Sequence, residues 1–163
     1  MKCYSRTEHN IHYSIYSQSF ECRLDPNERF SPLDLIERIR DQKEELGMII
    51  DLTYTTRYYG AEELPDTLCY CKILTVGHEV PDHETIFKFK SAVKKFLKEN
   101  QDNDKLIGVH CTHGLNRTGY LVCRYLIDEG MTPNAAIALT GHLPTFSCKH
   151  ERSSQGGITV QVK

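Results

Sequence analysis

The chain has 163 residues, 39% of them apolar, enough for one domain with its own core, and its formal net charge of −2 lacks the basic excess of a nucleic-acid-binding domain, although a local basic groove stays compatible with that total. Seven cysteines, an odd number without the spacing of a disulfide framework, point to free thiols in a reducing compartment, cytosol or nucleus. Met1 to His9 lack the apolar core of a signal peptide, and no run reaches the roughly 18 apolar residues of a membrane span, so no membrane partner is expected.

Residues 1–19 are polar and show no sustained period, with Tyr13 to Tyr16 as a short candidate strand. A helix is signalled at Ser31, which suits the N-cap, followed by Pro32 for the first helical position and Asp34 for first-turn negative charge. Leu35, Ile36, Ile39 and Leu46 supply its inward stripe, and Gly47 its stop. Met48 to Thr53 reads as a buried strand and Cys69 to Thr75 as a second. Pro81-Asp82 opens the next helix, with Ile86, Phe87, Phe89, Val93, Phe96 and Leu97 inward and its lysines on the wet side. Lys105 to His110 is a third buried strand, and Tyr120 to Ile127 a largely buried helix. Thr132 caps a last helix that starts at Pro133 and runs to about Leu139. Helix, strand, strand, helix, strand, helix, helix implies an α/β fold with a mostly parallel central sheet flanked by helices. Residues 140–163 lose the helical period and read as a loop or disordered tail, so the domain proper is 20–139.

The chain is organised around Cys111-Thr112-His113-Gly114-Leu115-Asn116-Arg117-Thr118-Gly119, between the third strand and the helix after it. Ligands bind outside the carboxyl ends of strands in such sheets, and amides and a positive helix dipole converge there into an anion site. A thiol held there is stabilised as thiolate and becomes a nucleophile at neutral pH. Zinc is the rival reading of Cys69-x-Cys71, His110-Cys111-x-His113 and Cys148-x-His150. Structural zinc sites space paired cysteines by about two to four residues, and alternate strand positions share a face, so Cys69 and Cys71 suit a core better than a metal.

Cysteine, five residues and arginine on a strand–loop–helix is the cysteine-phosphatase loop. The wording from His110 to Gly119, together with Ile50-Asp-Leu-Thr-Tyr-Thr-Thr-Arg-Tyr-Tyr59 and Thr75-Val-Gly-His-Glu-Val-Pro-Asp82, resembles the RNA 5′-triphosphatase branch of the dual-specificity phosphatases, from about Phe20 to Ala138. The resemblance implies that Cys111 attacks phosphorus and becomes a thiophosphate. It implies that amides from Thr112 through His113, Gly114, Leu115 and Asn116 to Arg117 hold the oxygens, and that Arg117 binds two of them as a fork. Thr118 would hydrogen-bond the sulfur, His110 would order the loop, and His113 would touch further phosphate. Asp51 would orient the loop or assist proton transfer, and Arg57 would hold the β- or α-phosphate. It implies no metal or other cofactor, RNA 5′-triphosphate or diphosphate ends as substrate, ribonucleoprotein or splicing proteins as partners, a monomer, and residence in the nucleus or also the cytoplasm.

Phosphotyrosine phosphatases carry a general acid in a mobile loop upstream of the nucleophile, where this chain has His78, Glu79 and Asp82; Asp82 equally suits an N-cap. A phosphoanhydride needs that acid less, because its leaving group is a phosphate whose late ionisation lies near pH 6. Both ends depart from the family: residues 1–18 do not read as its opening strand, and the chain after Leu139 does not continue its helix, with Glu151-Arg152 a loose counterpart of a pair that presents a further arginine to phosphate. An alternatively spliced or truncated form, with an incomplete sheet edge and last helix, is the expectation from these ends.

Overall fold

The computed structural model describes residues 31–112, 116–141, 145–147 and 156–158. In chain order these form α1 (Pro32–Asp41), β1 (Leu46–Asp51), a 3-10 turn (Ala61–Glu63), β2 (Cys69–Lys72), α2 (His83–Glu99), β3 (Leu106–His110), α3 (Asn116–Asp128), α4 (Pro133–Gly141), β4 (Thr145–Ser147) and β5 (Gly156–Ile158). Up to α4 the order is the one expected from hydrophobic periodicity. The candidate strand at Tyr13 to Tyr16 lies outside the described residues.

A capping box starts α1: Ser31 Oγ accepts from Asp34 N at 3.3 Å while Ser31 N donates to Asp34 Oδ2 at 2.6 Å. Its end corrects the sequence reading, which ran the stripe to Leu46 and stopped at Gly47. The helix closes at Asp41 because Lys43 takes a left-handed φ of 62°, with Lys43 N donating to Arg40 O at 2.8 Å and Glu44 N to Ile39 O at 3.2 Å. That is the paired bonding usually built around glycine. Lysine in the glycine position hides the stop from sequence rules. Gly47 instead lies in β1, where a Cβ would come 2.7 Å from Phe96 Cζ and 2.9 Å from Lys105 Cβ. It is needed there for close approach of the neighbouring chain, not for a turn.

The sheet is three-stranded and parallel, ordered β2-β1-β3. Central β1 is buried throughout and puts Asp51 beside Lys72 on one neighbour and beside His110 on the other. Met48, Ile50, Leu52, Ile107 and Val109 pack toward Phe89, Val93 and Phe96 of α2, Leu121 and Val122 of α3, and Ala136 of α4. On the other face Ile49 and Leu106 meet Leu35 and Ile39 of α1 with Tyr59, Leu64 and Leu68. The alternation of a pleated strand thus sends Cys111 to the α2/α3 side and His110 to the α1 side.

Phe87 is 70% exposed rather than inward, because it sits off the Phe89–Val93–Phe96 stripe. Three lysines of α2 are closely paired: Lys90 meets Asp128 and Lys94 meets Glu129, each at 2.7 Å, tying α2 to the end of α3, while Lys88 bonds Glu84 at 2.6 Å. Helix α3 begins four residues earlier than expected, at Asn116, so Arg117 and Thr118 occupy its first turn. Gly130, at a φ of 98°, closes α3 into the Thr132 cap of α4, which extends to Gly141. The region expected to be loop contains an antiparallel pair, with β4 Thr145 opposite β5 Ile158. Among the described residues no helix is long and apolar enough to cross a membrane.

Candidate active site

Cys111 directly follows β3 and is 3% exposed. Thr112 is half-buried, Asn116 is exposed at the start of α3, and His113, Gly114 and Leu115 lie outside the described residues. Arg117, buried, turns back under the sheet: its Nη1 donates to Thr75 O at 2.9 Å and to Leu52 O at 3.3 Å. Those carbonyls follow β2 and β1, so the guanidinium is anchored at the carboxyl ends of both strands. Thr75 is itself fixed by donating its hydroxyl to Ile73 O at 2.9 Å. A Cβ on Gly77 would lie 4.0 Å from Arg117 Cζ, so the segment leading to His78 passes beside the same guanidinium.

Thr118 Oγ1 is fully buried and has no hydrogen-bond partner among the described residues. The bond to Cys111 expected from the sequence is not made. A neutral thiol is a weak acceptor, whereas a thiolate would draw such a donor.

Asp51, 1% exposed, is the centre of a polar network on the α1 side of the sheet. Its Oδ1 accepts from Thr53 N at 2.8 Å; its Oδ2 accepts from Tyr70 OH at 3.0 Å and from Lys72 Nζ at 2.7 Å. His110 Nε2 lies 3.7 Å from Asp51 Oδ1 and is hydrogen-bonded to the Tyr59 hydroxyl, whose ring also stands 5.6 Å from that of Tyr70. Burial pushes the Asp51 carboxyl up, but the His110 charge, the Lys72 ammonium and the Thr53 amide together outweigh it and hold the carboxyl below its ordinary range. Burial also dominates at His110 and pushes its pKa down despite Asp51, so at neutral pH the ring is uncharged and the carboxylate leans on Lys72, Tyr70 and Thr53. Burial, with Asp51 nearby, pushes the Tyr59 and Tyr70 hydroxyls up, so both stay protonated.

Residues 36–153 match the family described as dual specificity phosphatase, catalytic domain. The chain belongs to the dual-specificity phosphatase family. It is 72% identical over 123 residues to the RNA/RNP complex-1-interacting phosphatase of Homo sapiens, covering 75% of this chain and 37% of that protein. It is 45% identical over 103 residues to a tyrosine-protein phosphatase of Autographa californica nuclear polyhedrosis virus, covering 62% of this chain and 60% of that one. It is 36% identical over 112 residues to an mRNA-capping enzyme of Danio rerio, covering 68% of this chain and 18% of that one. The chain thus spans little more than a third of the length of the first of these relatives.

Asp82 is an exposed N-cap whose Oδ1 accepts from Thr85 N at 2.7 Å. That bond to the Thr85 amide holds its carboxyl below the ordinary range, the wrong direction for an acid at neutral pH. His78 and Glu79 are exposed, His78 at a left-handed φ of 65°. Arg57 is exposed, with its N–H donating to Thr55 Oγ1 at 3.2 Å. Arg152, Cys148 and His150 lie outside the described residues. Among those described, no three histidine, cysteine or carboxylate side chains group as a metal site; Cys69 is exposed and Cys71 packs against the core.

Sequence reasoning missed Lys72, Tyr59, Tyr70 and Thr75, and the Leu52 carbonyl. The available signal was a lone lysine ending an otherwise apolar strand, but its alignment with Asp51 depends on strand register.

The buried His110 gives a pH prediction. Its folded pKa lies below the ordinary 6.5, so the unfolded chain takes up the proton first as pH falls, and stability drops below about that pH. Asp51, with a lowered pKa, adds stability that is lost only further into acid, as pH falls through its folded value. The unfolding free energy should therefore decline from pH 7 to pH 5, with a slope of up to about 1.4 kcal/mol per pH unit for one proton, and the melting temperature with it. Calorimetry of His110→Gln should show a flatter decline in that window. An equal slope in the variant would remove His110 as the cause.

Proposed function

We propose that the chain hydrolyses the 5′-terminal phosphates of RNA, γ and then β, through a cysteinyl-phosphate intermediate. The observation that carries this is the site itself: a buried cysteine at the carboxyl end of β3, and an arginine in the first turn of α3 braced on the ends of β1 and β2. In this mechanism the Cys111 thiolate attacks the γ-phosphorus in line, the S–P bond forms, and the bond to the bridging oxygen breaks, releasing diphosphate-ended RNA. Water then attacks the phosphorus, the S–P bond breaks, and inorganic phosphate leaves with the thiolate restored. Loop amides and the Arg117 donors not engaged by the two carbonyls stabilise charge on the equatorial oxygens. Thr118 donates to the departing thiolate, and Arg57, exposed beyond β1, takes the β- or α-phosphate.

Two observations favour a phosphoanhydride over phosphotyrosine. Asp82 is held ionised as a cap, and a diphosphate leaving group departs with little protonation. The names of the human and zebrafish relatives support RNA as the substrate class. The viral relative's name supports the second reading, a protein phosphatase. The test is phosphate release without magnesium from triphosphate-ended RNA, beside release from a phosphotyrosyl peptide. RNA should be the better substrate by roughly tenfold or more, and Asp82→Asn, which preserves a cap, should lose less than about threefold. A better peptide rate with a sharp loss in Asp82→Asn would establish the second reading instead.

A further inference from the structure

We propose that Lys72 is a positioning residue for the triphosphate chain, bracing the segment that links Arg117 to Arg57. Its Nζ lies 2.7 Å from Asp51 Oδ2, 2.5 Å from Thr53 Oγ1 and 2.6 Å from Thr55 O. An ammonium has three donors, and all three acceptors come from one five-residue segment just after the centre of the sheet. The side chain is 18% exposed, so the point charge is largely withdrawn from water.

What that segment carries makes the brace functional. Leu52, between the first two acceptors, supplies a carbonyl to Arg117 Nη1 at 3.3 Å. Beyond it, Thr53 Oγ1 donates to Thr55 O at 3.1 Å, and Thr55 Oγ1 accepts from Arg57 N at 3.2 Å. One ammonium thereby fixes the backbone that runs from the carbonyl anchoring the Arg117 guanidinium to the residue that carries the second guanidinium. An isolated phosphate monoester uses the first alone; a triphosphate uses both. The inference rests on the RNA triphosphatase reading above, and on its assignment of Arg57.

The test compares hydrolysis of triphosphate-ended RNA with hydrolysis of an aryl phosphate by the full chain, carrying Lys72→Met or Lys72→Arg. Misplacing a binding group by about 1 Å can cost on the order of a hundredfold. Lys72→Met is expected to lose kcat/KM for RNA by roughly thirtyfold more than for the aryl phosphate. Lys72→Arg keeps the charge and the fold, but its planar fork cannot reproduce three contacts made from one atom. It should melt close to wild type and still lose roughly tenfold more on RNA. Equal losses on both substrates, or an unchanged ratio in Lys72→Arg, would mean that Lys72 only holds strands together and would overturn the proposal. Wild-type protein that turns over the aryl phosphate but not RNA would overturn the triphosphatase reading, and this inference with it.

Discussion

Cys111→Ser should reduce phosphate release from triphosphate-ended RNA by a factor of about 1,000 or more while leaving the protein folded. The side chain is 3% exposed and changes only from sulfur to oxygen, so packing around it is nearly conserved. A serine hydroxyl is not ionised at neutral pH, and among the described residues His110, next in sequence, is no base for it, because it sits on the opposite face of the sheet, hydrogen-bonded to Tyr59. Its buried ring is uncharged and engaged elsewhere. Two measurements check the outcome. Brief incubation with RNA labelled at the γ-phosphorus, followed by denaturation, should leave label on the wild type and none on Cys111→Ser. The variant should still bind triphosphate-ended RNA about as tightly as wild type. Turnover within tenfold of wild type would remove Cys111 as nucleophile.

Arg117→Lys should lower kcat by roughly 100- to 1,000-fold, with a smaller rise in KM, although the formal charge is unchanged. The guanidinium spends Nη1 on the Leu52 and Thr75 carbonyls and has donors left for a phosphate fork. A lysine's single nitrogen cannot hold both carbonyls and also present a planar fork to phosphate, so turning it to the phosphate strands a carbonyl. Leaving one carbonyl unpaired in a buried place costs about 1–3 kcal/mol, so a drop of several degrees in melting temperature should accompany the kinetic loss. A variant with near wild-type kcat would show that the fork is not used in the transition state.

The loop from Cys111 to Gly119 was legible in the sequence because its chemistry is local: a cysteine, an arginine after five intervening residues, and a helix start all lie within a short contiguous stretch. Element order was legible for a related reason, since the buried strands at Met48 and Leu106 and the stripe Phe89–Val93–Phe96 are periodic over neighbouring residues. The Ser31 cap was legible too, because a capping box spans one turn.

What the sequence could not settle depended on partners distant along the chain or on rare backbone states. The end of α1 was missed because Lys43 occupies a left-handed position where glycine is the usual signal. Gly47 looked like a helix stop, and only the packing of Phe96 and Lys105 against it gives its reason. Asp82 fitted both an acid and a cap, and the bond from Thr85 N decided its geometry. The periodicity and order of the elements determined by themselves that this is an α/β protein, and the loop wording that a cysteine and an arginine bracket the turn between a strand and a helix. Only the tertiary structure decided what holds that site in place, because parallel register is what sets Asp51 beside Lys72 and His110, and strand ends far apart in sequence are what supply the two carbonyls under Arg117.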